Sequence, residues 1–196
     1  PQDSASVRVW ALNLAGDIAA RMGNTHEAEA RFRAALALDP DDVATRSAYA
    51  DLLLVTDRAA LARVVVEREA GSDALLLRLA IAANAARAAD ADTLTARMLD
   101  RLEEARRRGD ESHLREAARV YLELRPDPRR ALDLATRNWA TQREPEDARL
   151  LLAAALLAGR PAAAQPVLAW LAETGIEDSA AAALAANAYG ALFHAE

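Results

Sequence analysis

Histidine is the side chain that most often moves protons or binds metals near neutral pH. The chain has three, far apart in the sequence: His26, His113 and His194. None has the spacing of an HExxH metal-binding pair, and there is neither a glycine-rich phosphate loop nor a nucleophile elbow. There is no cysteine, which excludes a disulfide, a zinc–thiolate site and a thiol nucleophile. We therefore predict no catalytic residue, no metal site and no cofactor.

One run of carboxylates, Asp39-Pro40-Asp41-Asp42, allows two interpretations. Carboxylate oxygens are the ligands that calcium prefers. The same run also fits a proline turn followed by the N-cap of a helix, since aspartate is a preferred N-cap. We favour the cap.

Trp139 is the second residue with two interpretations. It lies four residues after Ala135 and seven after Leu132, on one face of a predicted helix. We expect it to wedge between two helix hairpins. The alternative is that Asn138, Gln142 and Arg143 form a polar edge, beside which an exposed part of the indole anchors a partner.

The composition predicts an all-α protein. The 196 residues include 52 alanines, and only 4% are aromatic. Alanine is the best helix former, and its small side chain lets helix axes come close. Every basic residue is an arginine, and the net charge is −6, with acids and arginines interleaved. This balance argues against nucleic-acid binding, and no apolar run reaches the roughly 20 residues that span a bilayer.

Residues 9–42 carry the clearest spacing signal. Counted from Val9, small residues fall at positions 8, 20 and 27, a glycine at 15, an aromatic at 24 and a proline at 32: these are Gly16, Ala28, Ala35, Gly23, Phe32 and Pro40. The pattern resembles the tetratricopeptide repeat, a helix-turn-helix unit of 34 residues, with Leu12 and Ala19 in place of the usual Trp and Tyr. The resemblance implies a right-handed α-solenoid.

The rest of the chain predicts further hairpins and about eleven helices. We expect one solenoid domain, residues 1–196, with repeats near 9–42, 43–70, 72–109, 111–143 and 145–175 and a capping helix at 178–194. Asn24 and Glu27 have the spacing of a capping box at the start of the second helix.

The resemblance also implies where a partner binds, because positions 2, 5, 9, 12 and 13 of each first helix line a concave groove in this family. The polar candidates for partner binding are Asn13, Asp17, Arg21, Asp51, Arg115 and Arg119. The family's carboxylate clamps use lysines here, and this chain has none, so we expect a mixed-charge peptide or a protein surface. We expect charge reversal at Arg115 and Arg119 to leave the melting temperature nearly unchanged.

These features predict a non-catalytic protein–protein interaction scaffold. The alternative is the scaffold portion of a larger enzyme or bacterial envelope assembly factor whose active part is absent. Residues 112–175 resemble bacterial tetratricopeptide-repeat proteins of unassigned role, which implies the bacterial cytoplasm or periplasm and leaves that choice open. Because the chain begins at Pro1 rather than methionine, we expect a trimmed or processed fragment.

Overall fold

The structure, a computed structural model, describes residues 5–67, 71–110 and 112–193. Within these ranges the chain forms eleven α-helices and no β-strand, which confirms the all-α prediction. The helices are α1 Ala5–Arg21, α2 Thr25–Leu38, α3 Val43–Val55, α4 Ala59–Val66, α5 Asp73–Ala85, α6 Ala91–Arg107, α7 Leu114–Arg119, α8 Pro128–Thr141, α9 Pro145–Leu157, α10 Gln165–Thr174 and α11 Ser179–Phe193. A π turn at Val120–Leu124 continues α7, and a 3₁₀ turn at Pro161–Ala164 precedes α10.

The chain divides into two compact units, residues 1–101 and 102–196, and the division falls within α6. In unit 1, α1 packs on α2, α3 packs on α2 and α4, and α5 packs on α3 and α4. In unit 2, α8 lies between α7 and α9, and α11 packs on α9. Helices joined by short connections are therefore neighbours, as in helix hairpins.

α1 and α2 approach closely at Gly16. A Cβ atom built on Gly16 would lie 2.6 Å from Phe32 Cε1 and 2.7 Å from its Cδ1, far inside van der Waals contact. Phe32, Ala28 and Ala35 are all buried on the facing helix. Gly16 therefore leaves the space that the aromatic ring fills.

Four hairpins turn through one backbone geometry. In each, a residue with positive φ follows the first helix, and the next backbone N–H donates to a carbonyl five residues earlier, which is the Schellman motif. The positive-φ residues are Gly23, Asp57, Arg87 and Gly159, and the N–H to carbonyl bonds are Asn24 to Ala19, Arg58 to Leu53, Ala88 to Ala83 and Arg160 to Ala155, at 2.8–2.9 Å. Two of the four positions thus hold a residue other than glycine.

The capping box predicted at Asn24 and Glu27 is wrong. A capping box needs the backbone N–H of Asn24 for the glutamate, but this N–H already donates to Ala19. The Asn24 side chain makes no cap hydrogen bond, and Glu27 instead accepts from Arg31 Nε at 2.6 Å.

Trp139 belongs to the core of unit 2. It is 5% exposed, and its ring meets the Trp170 ring edge-on, with 5.3 Å between ring centroids. The two residues lie on α8 and α10, so the tryptophan wedges between the fourth and fifth hairpins as expected. The alternative of an exposed indole anchor is wrong, because Asn138 beside it is also buried.

Gly16→Ala should destabilise the protein by about 1 kcal/mol or more. The added methyl overpacks the contact with Phe32, at a cost of about 1–3 kcal/mol, which exceeds the 0.5–1 kcal/mol that alanine gains in a helix. Gly190→Ala in α11 is the control: a Cβ there meets nothing within 4 Å, so this variant should be more stable than the parent. Ala28→Leu should cost a similar 1–3 kcal/mol. Urea unfolding curves of Gly16→Ala and Ala28→Leu that overlay the parent's would contradict the packing described.

Arg87→Gly should stabilise the protein by about 1 kcal/mol. A side chain in the left-handed region costs about 1–2 kcal/mol, partly offset by the greater freedom of glycine in the unfolded chain. Asp57→Gly should gain less, because aspartate tolerates this region better. Gly159→Ala, where a Cβ has open space, should lose stability through the backbone alone. Urea midpoints measure all three, and an unchanged or lower midpoint for Arg87→Gly would refute the strain.

Candidate binding surface

No reactive cluster is found where the sequence placed its histidines. His26 is exposed on α2, His113 has its Nε2 3.7 Å from Asp110 Oδ2, and His194 lies outside the described residues. Within the described ranges, no three or more histidines and carboxylates are grouped to hold a metal ion. Asp42 is an N-cap, as favoured, because its side chain accepts from the Thr45 backbone N–H at 2.7 Å. No described helix is both long and apolar enough to cross a membrane.

Three of the predicted partner-binding residues form a polar row along α1. Asn13, Asp17 and Arg21 are spaced by four residues, so they lie on one stripe of the helix. Arg21 Nε donates to Asp17 Oδ2 at 3.1 Å. Along the row the side chains are neutral, then negative, then positive. The row lies beside the face of α1 that packs on α2.

The fourth predicted residue, Asp51 on α3, is joined to α5 by an arginine that the sequence argument missed. Arg78 Nε donates to Asp51 Oδ2 at 2.9 Å and to the Ser47 carbonyl at 3.1 Å. Arg78 interrupts the buried apolar stretch Leu75–Ala83 of α5. A lone arginine within such a stretch was the available signal, since a buried guanidinium needs a carboxylate partner.

Both acids of these pairs are more exposed than their arginines. The exposed side-chain fractions are 45% for Asp17 against 17% for Arg21, and 29% for Asp51 against 8% for Arg78. The helices that carry them are neighbours, because α1 contacts α3 and α3 contacts α5. In these two pairs of unit 1, the carboxylates are therefore exposed to solvent and the guanidinium groups are more buried.

Asn13 Oδ1 on α1, and Thr45 Oγ1 and Ser47 Oγ on α3, are among the buried polar atoms with no hydrogen-bond partner in the described residues. Asn13 and Ser47 occupy the same position, the fifth, in the first two predicted repeats. Leaving such an atom unpaired costs about 1–3 kcal/mol. Because these atoms are buried, they lower the stability of unit 1 and are not exposed for a partner to contact.

In unit 2, Arg115 binds a cluster of carboxylates at the start of α9. Its Nε donates to Asp147 Oδ1 at 2.6 Å, and its Nη2 donates to Glu144 Oε2 at 2.6 Å. Glu146 lies 3.4 Å from its Nη1. Burial lowers the pKa of Arg115, but the hydrogen bonds to Asp147 and Glu144 and the charge of Glu146 outweigh it, so the pKa is raised above its ordinary value.

Asp147 is buried, and its carboxylate accepts hydrogen bonds from side chains of two other helices, α7 and α8. Its carboxylate accepts from Asn138 Nδ2 at 2.6 Å and from the Glu144 backbone N–H at 3.0 Å, in addition to Arg115. The bond to Glu144 is half of a capping box that starts α9. Asp147 thereby fixes the start of α9 against α7 and α8.

Arg119 also turns toward carboxylates of its own unit. Its Nε donates to Glu123 Oε1 at 2.7 Å, and its Nη1 lies 3.6 Å from Glu146 Oε1. Arg115 and Arg119 thus both approach Glu146. These contacts overturn the expectation that charge reversal there leaves the melting temperature unchanged, because glutamates would face glutamates.

Asp147→Asn should destabilise the protein by about 2 kcal/mol or more. It leaves the mostly buried Arg115 cation without its two-oxygen partner and weakens the cap of α9, although Glu144 and Glu146 remain. The control is Glu103→Gln in the same unit, which removes an exposed carboxylate paired with Arg106. Exposed pairs contribute little, so the control should leave the thermal midpoint nearly unchanged. Equal thermal midpoints for both variants would show that Asp147 contributes no more to stability than an exposed carboxylate does.

The sequence model of one family matches the chain: the tetratricopeptide repeat, over residues 19–69. The matched segment is about a quarter of the chain and runs from the end of α1 past the end of α4, across three helix connections of unit 1. Comparisons with curated proteins and with solved structures gave no match. Residues 19–69 of the first unit are therefore similar to tetratricopeptide repeats.

Proposed function

We propose that this chain is a non-catalytic interaction module that binds a peptide or protein partner through the first helices of its hairpins. Tetratricopeptide repeats generally mediate protein–protein interaction, which supports this class of function. The proposed contact residues are Asn13, Asp17, Arg21 and Asp51 in unit 1, and Arg115 and Arg119 in unit 2. Each unit presents its own set.

The observation that carries the proposal is the pair of exposed carboxylates on α1 and α3. The side chains of Asp17 and Asp51 are more exposed than those of the arginines that pair with them. Exposed acidic side chains on neighbouring helices suit a partner segment with basic side chains.

Preorganisation is the mechanism. The helices are held by the Gly16 contact, the Schellman turns and the Arg78 pair, so the surface exists before the partner arrives. A flexible segment loses conformational entropy when it binds there, while the scaffold loses little. Arg115 and Arg119 contribute in unit 2 through the parts of their guanidinium groups that remain exposed.

A displayed library of unbiased peptides, selected against the whole chain, tests the proposal. We expect enrichment of peptides with lysine or arginine. Asp17→Asn should weaken the selected peptides by about threefold, and more at low salt, because one exposed charge is lost. The melting temperature should stay level, since the exposed Asp17–Arg21 pair contributes little to stability.

The matched control is Asp133→Asn, an exposed acid on α8 that forms the same kind of i,i+4 pair with Arg137. It should leave peptide affinity unchanged. Selected peptides without a basic bias, or an Asp17→Asn variant that retains full affinity, would refute this surface.

A further inference from the structure

α1 has a second apolar face that nothing in the described chain covers. Large apolar side chains recur along it and into the turn that follows, at steps of three or four residues, and each is between 40% and 64% exposed: Val7, Trp10, Leu14 and Ile18 on α1, and Met22 directly after it. The residues that pack on α2, such as Val9, Gly16 and Ala19, lie on the opposite side of the helix. We call these five residues the α1 outer face.

The side of this face around Ile18 corresponds to a covered surface in the next two first helices. Ile18 and its neighbour Ala11 correspond to Leu52 and Thr45 in α3, and to Ala82 and Leu75 in α5, all of which are buried. Trp10 and Leu14 instead correspond to the exposed Ala44 and the half-buried Ala48 of α3. α3 packs on α2 and α5 packs on α4, each the preceding helix of the chain. These preceding helices are joined by short connections and so run antiparallel to the helix they cover. Part of the α1 outer face therefore corresponds to a surface that an antiparallel helix covers.

We propose that the occupant is α1 of a second copy of this chain, in a two-fold symmetric dimer. The spacing of the face is nearly the same in both directions about Leu14. An antiparallel pair therefore places Leu14 against Leu14 of the second copy, Trp10 against Ile18 of the second copy, and Val7 against its Met22. All the large side chains meet in one alignment, which is the self-complementarity that a two-fold contact requires.

Charge and area set the strength of this contact. None of the five residues is charged, and the nearest charged residues on one edge, Asp17 and Arg21, neutralise each other at 3.1 Å. A helix of 17 residues is about 25 Å long and 10–12 Å wide, so the face covers roughly 300 Å². Standard interfaces bury about 800 Å² per partner, so the dimer is weak and depends on concentration.

Sedimentation velocity of the full chain from about 5 to about 500 µM tests the proposal over the range of weak affinities. The average mass should rise from one chain toward two, and the Trp10 emission should shift to shorter wavelength as the ring leaves water. Leu14→Glu and Leu14→Arg should each remain monomeric at every concentration. An equimolar mixture of these two variants should dimerise again, because a two-fold axis places the opposite charges against each other.

The control is Val64→Glu, which adds the same charge at an exposed apolar position of α4 and should dimerise like the parent. Circular dichroism checks that the variants fold, and Trp10→Ala replaces any Leu14 variant that does not. A parent that stays at the mass of one chain throughout overturns the proposal and leaves the face to a helix of another protein. Dimerisation of Leu14→Glu, or a mixture that stays monomeric, also overturns it.

Discussion

Two helices can approach closely only where at least one of them lacks a bulky side chain. In unit 1 this requirement falls on Gly16, whose missing Cβ leaves room for the buried ring of Phe32. The same requirement explains the composition, because buried alanines recur at the helix contacts of both units. Once the helices of a hairpin are this close, a tight turn must join them, and the repeated Schellman geometry supplies it.

Within each unit, ion pairs then connect consecutive hairpins. Arg78 reaches from α5 to Asp51 on α3, and Arg115 reaches from α7 to Asp147 at the start of α9. Arg149 repeats the arrangement with Asp178, the N-cap of α11. The guanidinium group suits this role because its planar fork binds two acceptors and stays charged when partly buried. The charged side chains near these helix starts therefore pair with each other within the chain. Asp17 on α1 remains among the more exposed acids.

The sequence predicted those features that follow from local spacing. The helical periodicity around Trp139 predicted that it wedges between two hairpins, and the small residues of the segment 9–42 predicted that its two helices come close. It did not predict the turns at Asp57 and Arg87, because only glycine marks a left-handed position reliably. The predicted capping box at Asn24 was wrong, because the hydrogen bond of the turn and that of the cap need the same backbone N–H.

The chemistry of the candidate site could not be predicted from local spacing. The resemblance to the repeat predicted which side of its helix Arg115 occupies, but its carboxylate partners lie about 30 residues later, where no local pattern points to them. Arg78 was missed for the same reason, since its partner Asp51 precedes it by 27 residues.

The arginine pairs also limit how the repeats can be exchanged. Hairpins of this kind are commonly treated as interchangeable modules whose stabilities add. Here a hairpin that carries Arg115 needs a following hairpin that begins with a carboxylate at the position of Asp147, and the buried cation penalises any other neighbour. Consecutive hairpins are therefore matched to each other, and transplanting one into another array requires moving its carboxylate-bearing neighbour with it.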